Sequence, residues 1–368
     1  MLKQIKFVAL SLLLSIGFVA CSEDTPTPPN TNPEPRGESG FYVINQGNKS
    51  SNLPSSIDFI SLLENGTDVK DFFKSANDQA LGSTAQKPII YGSKIYIPMF
   101  DNNLVWVADA NTMKVVAKVE TSMPQAVCGA NGYVYVSNSD GYVTRVDTTA
   151  FNTAKIAVGP NPYGIAATNG KVYVAVSDMN NSQNGYANSA VAVIDAASFT
   201  KVKDIKAEGM TDVWDLTTDA LGNVFATTPY TSNKVYRITP TGSVSEFCEG
   251  SIIATNSQQR TSRATKNMDY LYVINSVTDW NTGAVTVTSA LYDTATGAKQ
   301  VDALLESGNL PASPICMDIN PATGDIYVCS DEGAFGSANP GYINVYAPNG
   351  TFLKKISTGV HPYGVVFK

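Results

Sequence analysis

From residue 40 to residue 368 the chain alternates apolar and polar positions with a period of two, in short runs separated by turn formers. Successive side chains on a strand point to opposite faces, so such runs predict strands with one buried face. The clearest block reads Pro162-Tyr163-Gly164-Ile165-Ala166, Gly170-Lys171-Val172-Tyr173-Val174-Ala175, Val191-Ala192-Val193-Ile194-Asp195 and Lys201-Val202-Lys203-Asp204-Ile205. These four predicted strands are designated A, B, C and D, and no stretch of helical periodicity interrupts the series.

The block recurs. The aromatic of strand B can be followed as Tyr42, Tyr96, Tyr135, Tyr173, Phe225, Tyr272 and Tyr327, at intervals of 54, 39, 38, 52, 47 and 55 residues. Four-stranded units of about 40–50 residues are the mark of a β-propeller. Seven copies predict an all-β, seven-bladed propeller over residues 40–368. Gly40-Phe41-Tyr42-Val43 opens on a B strand with no A strand before it, and Pro362-Tyr363-Gly364-Val365-Val366-Phe367 is an A strand with nothing after it. The C-terminal strand is therefore expected to pair with the N-terminal blade, closing the ring and removing open edges. An aspartate recurs near the end of strand C, as Asp58, Asp109, Asp147, Asp195 and Asp293, with Thr239 and Ala347 in its place twice. Before small and hydroxylated residues it reads as a turn acceptor rather than a catalytic acid.

In a propeller the A strands line the axis, and the D-to-A and B-to-C connections share one face. The B-to-C loops at 45–54, 177–188, 277–283 and 330–341 vary most in length, and excess loop length points to function. The aromatics predicted on this face are Phe100, Tyr163, Tyr186, Trp214, Tyr230, Trp280, Phe335 and Tyr363. Rigid aromatic area around a polar funnel suits a large, partly apolar ligand. Phe100, Tyr163, Trp214, Tyr230, Trp280, Phe335 and Tyr363 are taken as candidate ligand contacts. For Tyr163 and Tyr363, packing of a Pro-Tyr-Gly motif between blades is the competing reading.

The first forty residues change the picture of where the domain sits. Lys3 and Lys6 precede an uncharged stretch at 7–20, too short to span a bilayer and suited to a signal peptide over residues 1–20. It runs into Gly17-Phe18-Val19-Ala20-Cys21, which resembles a bacterial lipobox, so Cys21 is expected to carry the lipid anchor. Ser22-Glu23-Asp24 resembles a surface-export signal. Residues 21–39 otherwise form a proline-rich linker. Residence at the outer membrane, facing the cell exterior, follows as an expectation.

Net charge is −7, so there is no basic excess to bind nucleic acid. Cys128, Cys248, Cys316 and Cys329 form no Cys-x-x-Cys pair, and most of them lie in apolar strand patterns where buried free thiols are expected. The chain has one histidine, His361, placed by its position before an A strand near the mouth of the funnel. With one histidine no metalloprotease motif can be built, no Ser-His-Asp device is possible without it, and no phosphate loop appears. Arg260 and Arg263 lie in a polar stretch at 258–266, and Asp178, Asp331 and Glu332 show no calcium-loop spacing. No metal, no catalytic residue and no enzymatic activity are expected.

Gly40-Phe41-Tyr42-Val43-Ile44-Asn45-Gln46-Gly47-Asn48 resembles the opening of a Bacteroidetes family of surface propeller lipoproteins, YncE-like and of the DUF5074 type, that includes the cobalamin-binding BtuG proteins. Ile90-Tyr91-Gly92-Ser93-Lys94-Ile95-Tyr96, residues 143–149 and residues 320–328 resemble it too, and the likeness covers residues 21–368. Gln46 departs from the Glu usual in that opening. The resemblance implies an outer-membrane protein that captures cobalamin or a related corrinoid as cargo, not cofactor, and passes it to a TonB-dependent transporter. The alternative is a glycan- or protein-binding accessory of a polysaccharide uptake system.

Overall fold

The computed structural model describes residues 39–256, 269–279, 281–333 and 337–368. The expected signal peptide and linker, Cys21, Arg260, Arg263, Trp280 and Phe335 lie outside the described residues.

The strands assort into seven antiparallel sheets, six of four strands and one of three. Blade 2 holds Ile89–Tyr91, Lys94–Met99, Leu104–Asp109 and Val115–Glu120. Blade 3 holds Pro124–Ala130, Tyr133–Asn138, Tyr142–Asp147 and Thr153–Ala157. Blade 4 holds Pro162–Thr168, Lys171–Val176, Ala190–Asp195 and Thr200–Ile205. Blade 5 holds Leu216–Thr218, Val224–Thr228, Lys234–Ile238 and Val244–Glu249. Blade 6 holds Ile252–Thr255, Tyr270–Thr278, Val285–Asp293 and Lys299–Asp302. Blade 7 holds Ser313–Ile319, Ile326–Asp331, Pro340–Tyr346 and Phe352–Val360. Blade 1 is built from both ends of the domain: Gly40–Asn45 pairs with Ser56–Ser61 on one side and with Pro362–Phe367 on the other. The register sets Phe41 opposite Phe367 and Val43 opposite Val365, so the expected closure is present.

The core is divided among the joints between blades. Seven hydrophobic clusters occupy the junctions 1/2, 2/3, 3/4, 4/5, 5/6, 6/7 and 7/1 in turn. An open stack of seven sheets has six junctions. The seventh, where Phe41, Val43 and Ile60 meet Tyr327, Cys329, Ile343, Val365 and Phe367, makes this a ring. The strand-B aromatics Tyr42, Tyr96, Tyr135, Tyr173, Phe225, Tyr272 and Tyr327 are at most 5% exposed, which places all seven in these joints. Two of them tie neighbouring blades through their hydroxyls. Tyr42 donates to the Ala110 carbonyl of blade 2 at 2.5 Å, and Tyr135 donates to the Ala196 carbonyl of blade 4 at 3.0 Å.

Three details differ from the pattern. Blade 1 has no full D strand; a single bridge between Phe59 and Val69 remains of it. Its place is taken by a helix, α1 (Phe72–Asn77), which buries Phe72, Phe73 and Ala76 in the 1/2 joint and sets Phe73 5.6 Å from the Trp106 ring. Six residues are too few to show a helical period, which is why the alternation gave no sign of it. The blade 6 hairpin is also longer than expected: Val277 and Thr278 still pair across it, and the turn shrinks to 279–284. Finally, Asp109, Asp147, Asp195 and Asp293 do accept turn N–H groups at 2.6–2.9 Å, but Asp58 does not. It sits mid-strand and receives Asn45 Nδ2, Lys70 Nζ and the Asp71 N–H, anchoring the entry to α1.

Candidate functional site

A funnel of about 700 Å³ opens on the face shared by the D-to-A and B-to-C connections. Blades 1 to 5 supply its lining. One local device builds much of it. Met123, Asn161 and His361 each precede the proline that starts an A strand, and each has positive φ, at 45°, 51° and 53°. A left-handed residue there costs on the order of 1 kcal/mol for any side chain but glycine. The kink turns the chain inward, so that the residues beyond the prolines, Gln125, Tyr163 and Tyr363, also line the funnel. The glycine of Pro-Tyr-Gly has a separate task. A Cβ on Gly164 would stand 2.7 Å from the Trp214 carbonyl oxygen, and one on Gly364 2.8 Å from Lys87 Cγ. The glycine thus allows the next inner strand to approach, while the tyrosine faces the funnel.

An arc of rings crosses the floor. The Tyr163 and Tyr363 hydroxyls meet at 3.0 Å although 200 residues separate them in sequence. Trp214 packs on Tyr163 at 4.2 Å, Tyr230 stands edge-on to Trp214 at 4.8 Å, and His361 stacks on Tyr363 at 5.8 Å. Burial raises the Tyr163 hydroxyl to about 12 and the Tyr363 hydroxyl well above its ordinary value, so both stay protonated near neutrality. Behind Tyr363, His361 Nδ1 lies 2.9 and 3.0 Å from the two carboxylate oxygens of Asp331, and both residues are buried.

The walls are mainly polar. Gln46, Asn48, Gln86, Gln125, Asn161 and Asn180 bring six carboxamides to the lining, with Ser139 and Thr84. Gln46 and Gly47 are held by backbone bonds to the His361 and Val360 carbonyls, at 2.9 and 3.1 Å, across the closure. Asn48 caps the short turn Lys49–Ser51, accepting from the Ser51 N–H at 2.9 Å. The one lysine of the lining, Lys49, is paired with Asp101 at 2.6 Å. Burial pushes the Asp101 carboxyl up, but bonds from Lys49 and Thr84 outweigh it and leave it low. The buried Gln86 side-chain oxygen accepts no hydrogen bond among the described residues, so the wall holds an unused acceptor.

Beside the tyrosine pair lies an ionic cluster. Lys87 contacts Asp318, whose second oxygen accepts the Val365 N–H at 3.0 Å. Asp215 lies close enough to act electrostatically on Lys87, Tyr163 and Tyr363. Burial raises the carboxyls of Asp215 and Asp318, and Lys87 draws both partway back. Burial works against the Lys87 charge as well, but Asp318 outweighs it and the ammonium ends above its ordinary range.

Of the sequence-predicted contacts, Phe100, Tyr163, Trp214 and Tyr363 share the funnel. Tyr230 is not in the lining; it stands 65% exposed on the outer edge of Trp214. Tyr186, at the left-handed end of the blade 4 loop, is not in the lining either. Asp178 bonds Asn181 and Asn188, Glu332 pairs with Lys355, and Asp331 holds His361. No group of three or more metal-ligating side chains occurs among the described residues. The amides of the wall were missed. The x-Pro-x triplets at 123–125, 161–163 and 361–363 each send their first and third residues to the lining, a signal that reaches only Gln125 and Asn161 among the six amides.

Solved structures share the fold. A quinonprotein alcohol dehydrogenase-like protein of Bacteroides thetaiotaomicron aligns with a TM-score of 0.61 at 17% identity, over 90% of this chain and 78% of that one. Hydrazine synthase of Kuenenia stuttgartiensis aligns at 0.59 and 19%, over 77% and 89%. Apo AztD of Citrobacter koseri aligns at 0.55 and 10%, over 90% and 98%. At such identities the likeness concerns the fold alone. No curated protein matches the chain. The family model described as a domain of unknown function, DUF5074, matches residues 39–368, and the chain belongs to that family.

Proposed function

We propose that this propeller is a ligand-capture protein, held at the outer membrane through Cys21, that binds cobalamin or a related corrinoid in the funnel and passes it to a TonB-dependent transporter. The observation that supports this most is the lining: six carboxamides around a floor of aromatic rings, with the one lysine already neutralised by Asp101. A corrinoid is a broad, partly apolar macrocycle fringed with carboxamide arms. Amide walls match those arms donor to acceptor, and rings cover the macrocycle at low entropy cost. A closed ring fixes the walls in advance, so little ordering is needed on binding. Capture requires no bond to be made or broken. The resemblance of residues 40–48 to the opening of the BtuG proteins points the same way.

Titration of cyanocobalamin into the domain tests the reading by tryptophan fluorescence. Saturable quenching is expected, and Trp214→Ala is expected to weaken affinity tenfold or more, a loss of about 1.4 kcal/mol. A flat signal at micromolar ligand would sink it. The second reading, glycan binding, is favoured by one feature: the exposed Tyr230 edge-on to Trp214 forms an open aromatic platform of the kind a sugar ring stacks on. Quenching by polysaccharide but not by corrinoid, abolished in Tyr230→Ala, would select it.

A further inference from the structure

We propose that Cys316 and Cys329 are a dithiol pair that closes to a disulfide on exposure to a disulfide-bearing reagent, stapling the two inner strands of blade 7. Both thiols are free in the structure, and they stand directly opposite each other in the pairing of Ser313–Ile319 with Ile326–Asp331. Residues directly opposed in an antiparallel pair have Cα atoms about 4.5 or 5.5 Å apart and side chains on the same face. Both spacings lie within the span of about 4.4–6.8 Å that disulfides adopt, so the bridge needs no strand to move. The register shift between Pro314 and Cys316 leaves room for local adjustment beside the pair.

The two thiols differ in access. Cys329 is fully buried in the 7/1 joint, among the residues that close the ring. Cys316 is half-buried and lies close enough to Lys87 and Tyr363 to act on both electrostatically, which sets it toward the axis of the ring. A hydrogen bond from the Cys329 S–H to Cys316 is the largest influence holding the Cys329 thiol well above its ordinary range, with burial next. Cys316 is therefore the thiol that attacks first. Cys128 and Cys248 sit in blades 3 and 5, each away from the other, and burial raises both.

The exchange balances in two steps. The Cys316 sulfur, losing its proton to water, attacks one sulfur of the reagent; a mixed disulfide forms and one thiolate leaves. The Cys329 sulfur, also losing its proton, then attacks the Cys316 sulfur and expels the second thiolate. Two electrons pass from the pair to the reagent, which leaves as two thiols.

One tryptic peptide, residues 300–354, contains Cys316 and Cys329 and no other cysteine. The full chain is incubated with oxidised glutathione, denatured, alkylated and digested, and this peptide is weighed. The expected peptide is lighter than its reduced form by two hydrogens and takes up no alkyl group, and treatment with a reductant restores two alkylation sites. In Cys329→Ser the same peptide is expected to carry one glutathione, on Cys316. Two alkyl groups on the wild-type peptide after prolonged exposure, or two glutathiones, would overturn the proposal. The wild-type result decides the matter even if Cys329→Ser fails to fold.

Discussion

Single residues in this ring differ in what they contribute even when they occupy the same repeat position. Tyr42 and Tyr96 are equivalent, yet the Tyr42 hydroxyl reaches the Ala110 carbonyl, while the Tyr96 hydroxyl is buried with no hydrogen-bond partner among the described residues. Burial raises the Tyr96 hydroxyl to about 12. Losing the Tyr42 bond strands a carbonyl, so Tyr42→Phe is expected to cost about 1 kcal/mol in denaturant unfolding. Tyr96→Phe removes an unmatched group and is expected to leave stability unchanged or higher. Carboxylates diverge in the same way. Asp195 is lowered first of all by the Ser198 backbone N–H, and Asp215 is raised first of all by burial. A carboxyl lowered in the fold gives stability that is complete above the ordinary carboxylate range and fades as pH falls through the folded value. A raised one has the opposite sign: it withholds stability at neutral pH and returns it on acidification. Asp195→Ala is thus expected to melt below wild type at pH 7, with the gap narrowing below about pH 4, and Asp215→Asn above it, with the gap already narrowing above about pH 4 as acid reaches the raised carboxyl. Gaps of constant size across that range would contradict the assignment.

At the level of strands, the joint between blades 7 and 1 carries the fold, because it alone depends on residues from opposite ends of the domain. Deleting 362–368 removes one partner of Gly40–Asn45 and strips Val365 and Phe367 from the core of that joint. An unpaired inner strand then faces solvent and invites pairing with another chain. The truncated chain is expected to associate on size exclusion and to lose its cooperative melt. A monomer melting like the full chain would show that the ring holds without its clasp. This joint was legible in the sequence, since Pro362-Tyr363-Gly364 repeats Pro162-Tyr163-Gly164 and alternation is a local property. Helix α1 was not, because Phe72, Phe73 and Ala76 span little more than one turn and leave no period to read. Asp58 misled for a related reason: its spacing fits the repeat, but the missing D strand of blade 1 gives it other partners.

For the whole molecule, the face on which the loops converge was predictable once the blades were counted, and Phe100, Tyr163, Trp214 and Tyr363 duly meet there. The amides that give the funnel its character were not, because Gln46, Gln86, Gln125 and Asn161 come from four blades and become neighbours only when the ring closes. Tyr230 packs on Trp214 but stands outside the lining, exposed. The ligand proposal and the thiol proposal are independent at this scale, since a chain that takes up corrinoid without closing the Cys316–Cys329 bridge, or the reverse, would sustain one and remove the other.

The two ends of the domain leave it side by side. Lys368 donates its backbone N–H to the Gly40 carbonyl at 3.0 Å, while the other ends of the same two strands, Asn45 and Pro362, lie beside Gln46 and His361 at the funnel. The proposed tether, entering at Ser39, would therefore grip the base of the bowl and leave its lip unobstructed. Under the proposed function, cargo and receiver would then use the same opening, so loading and unloading would exclude one another, and the receiver would have to reach around to the lip or tip the bowl over.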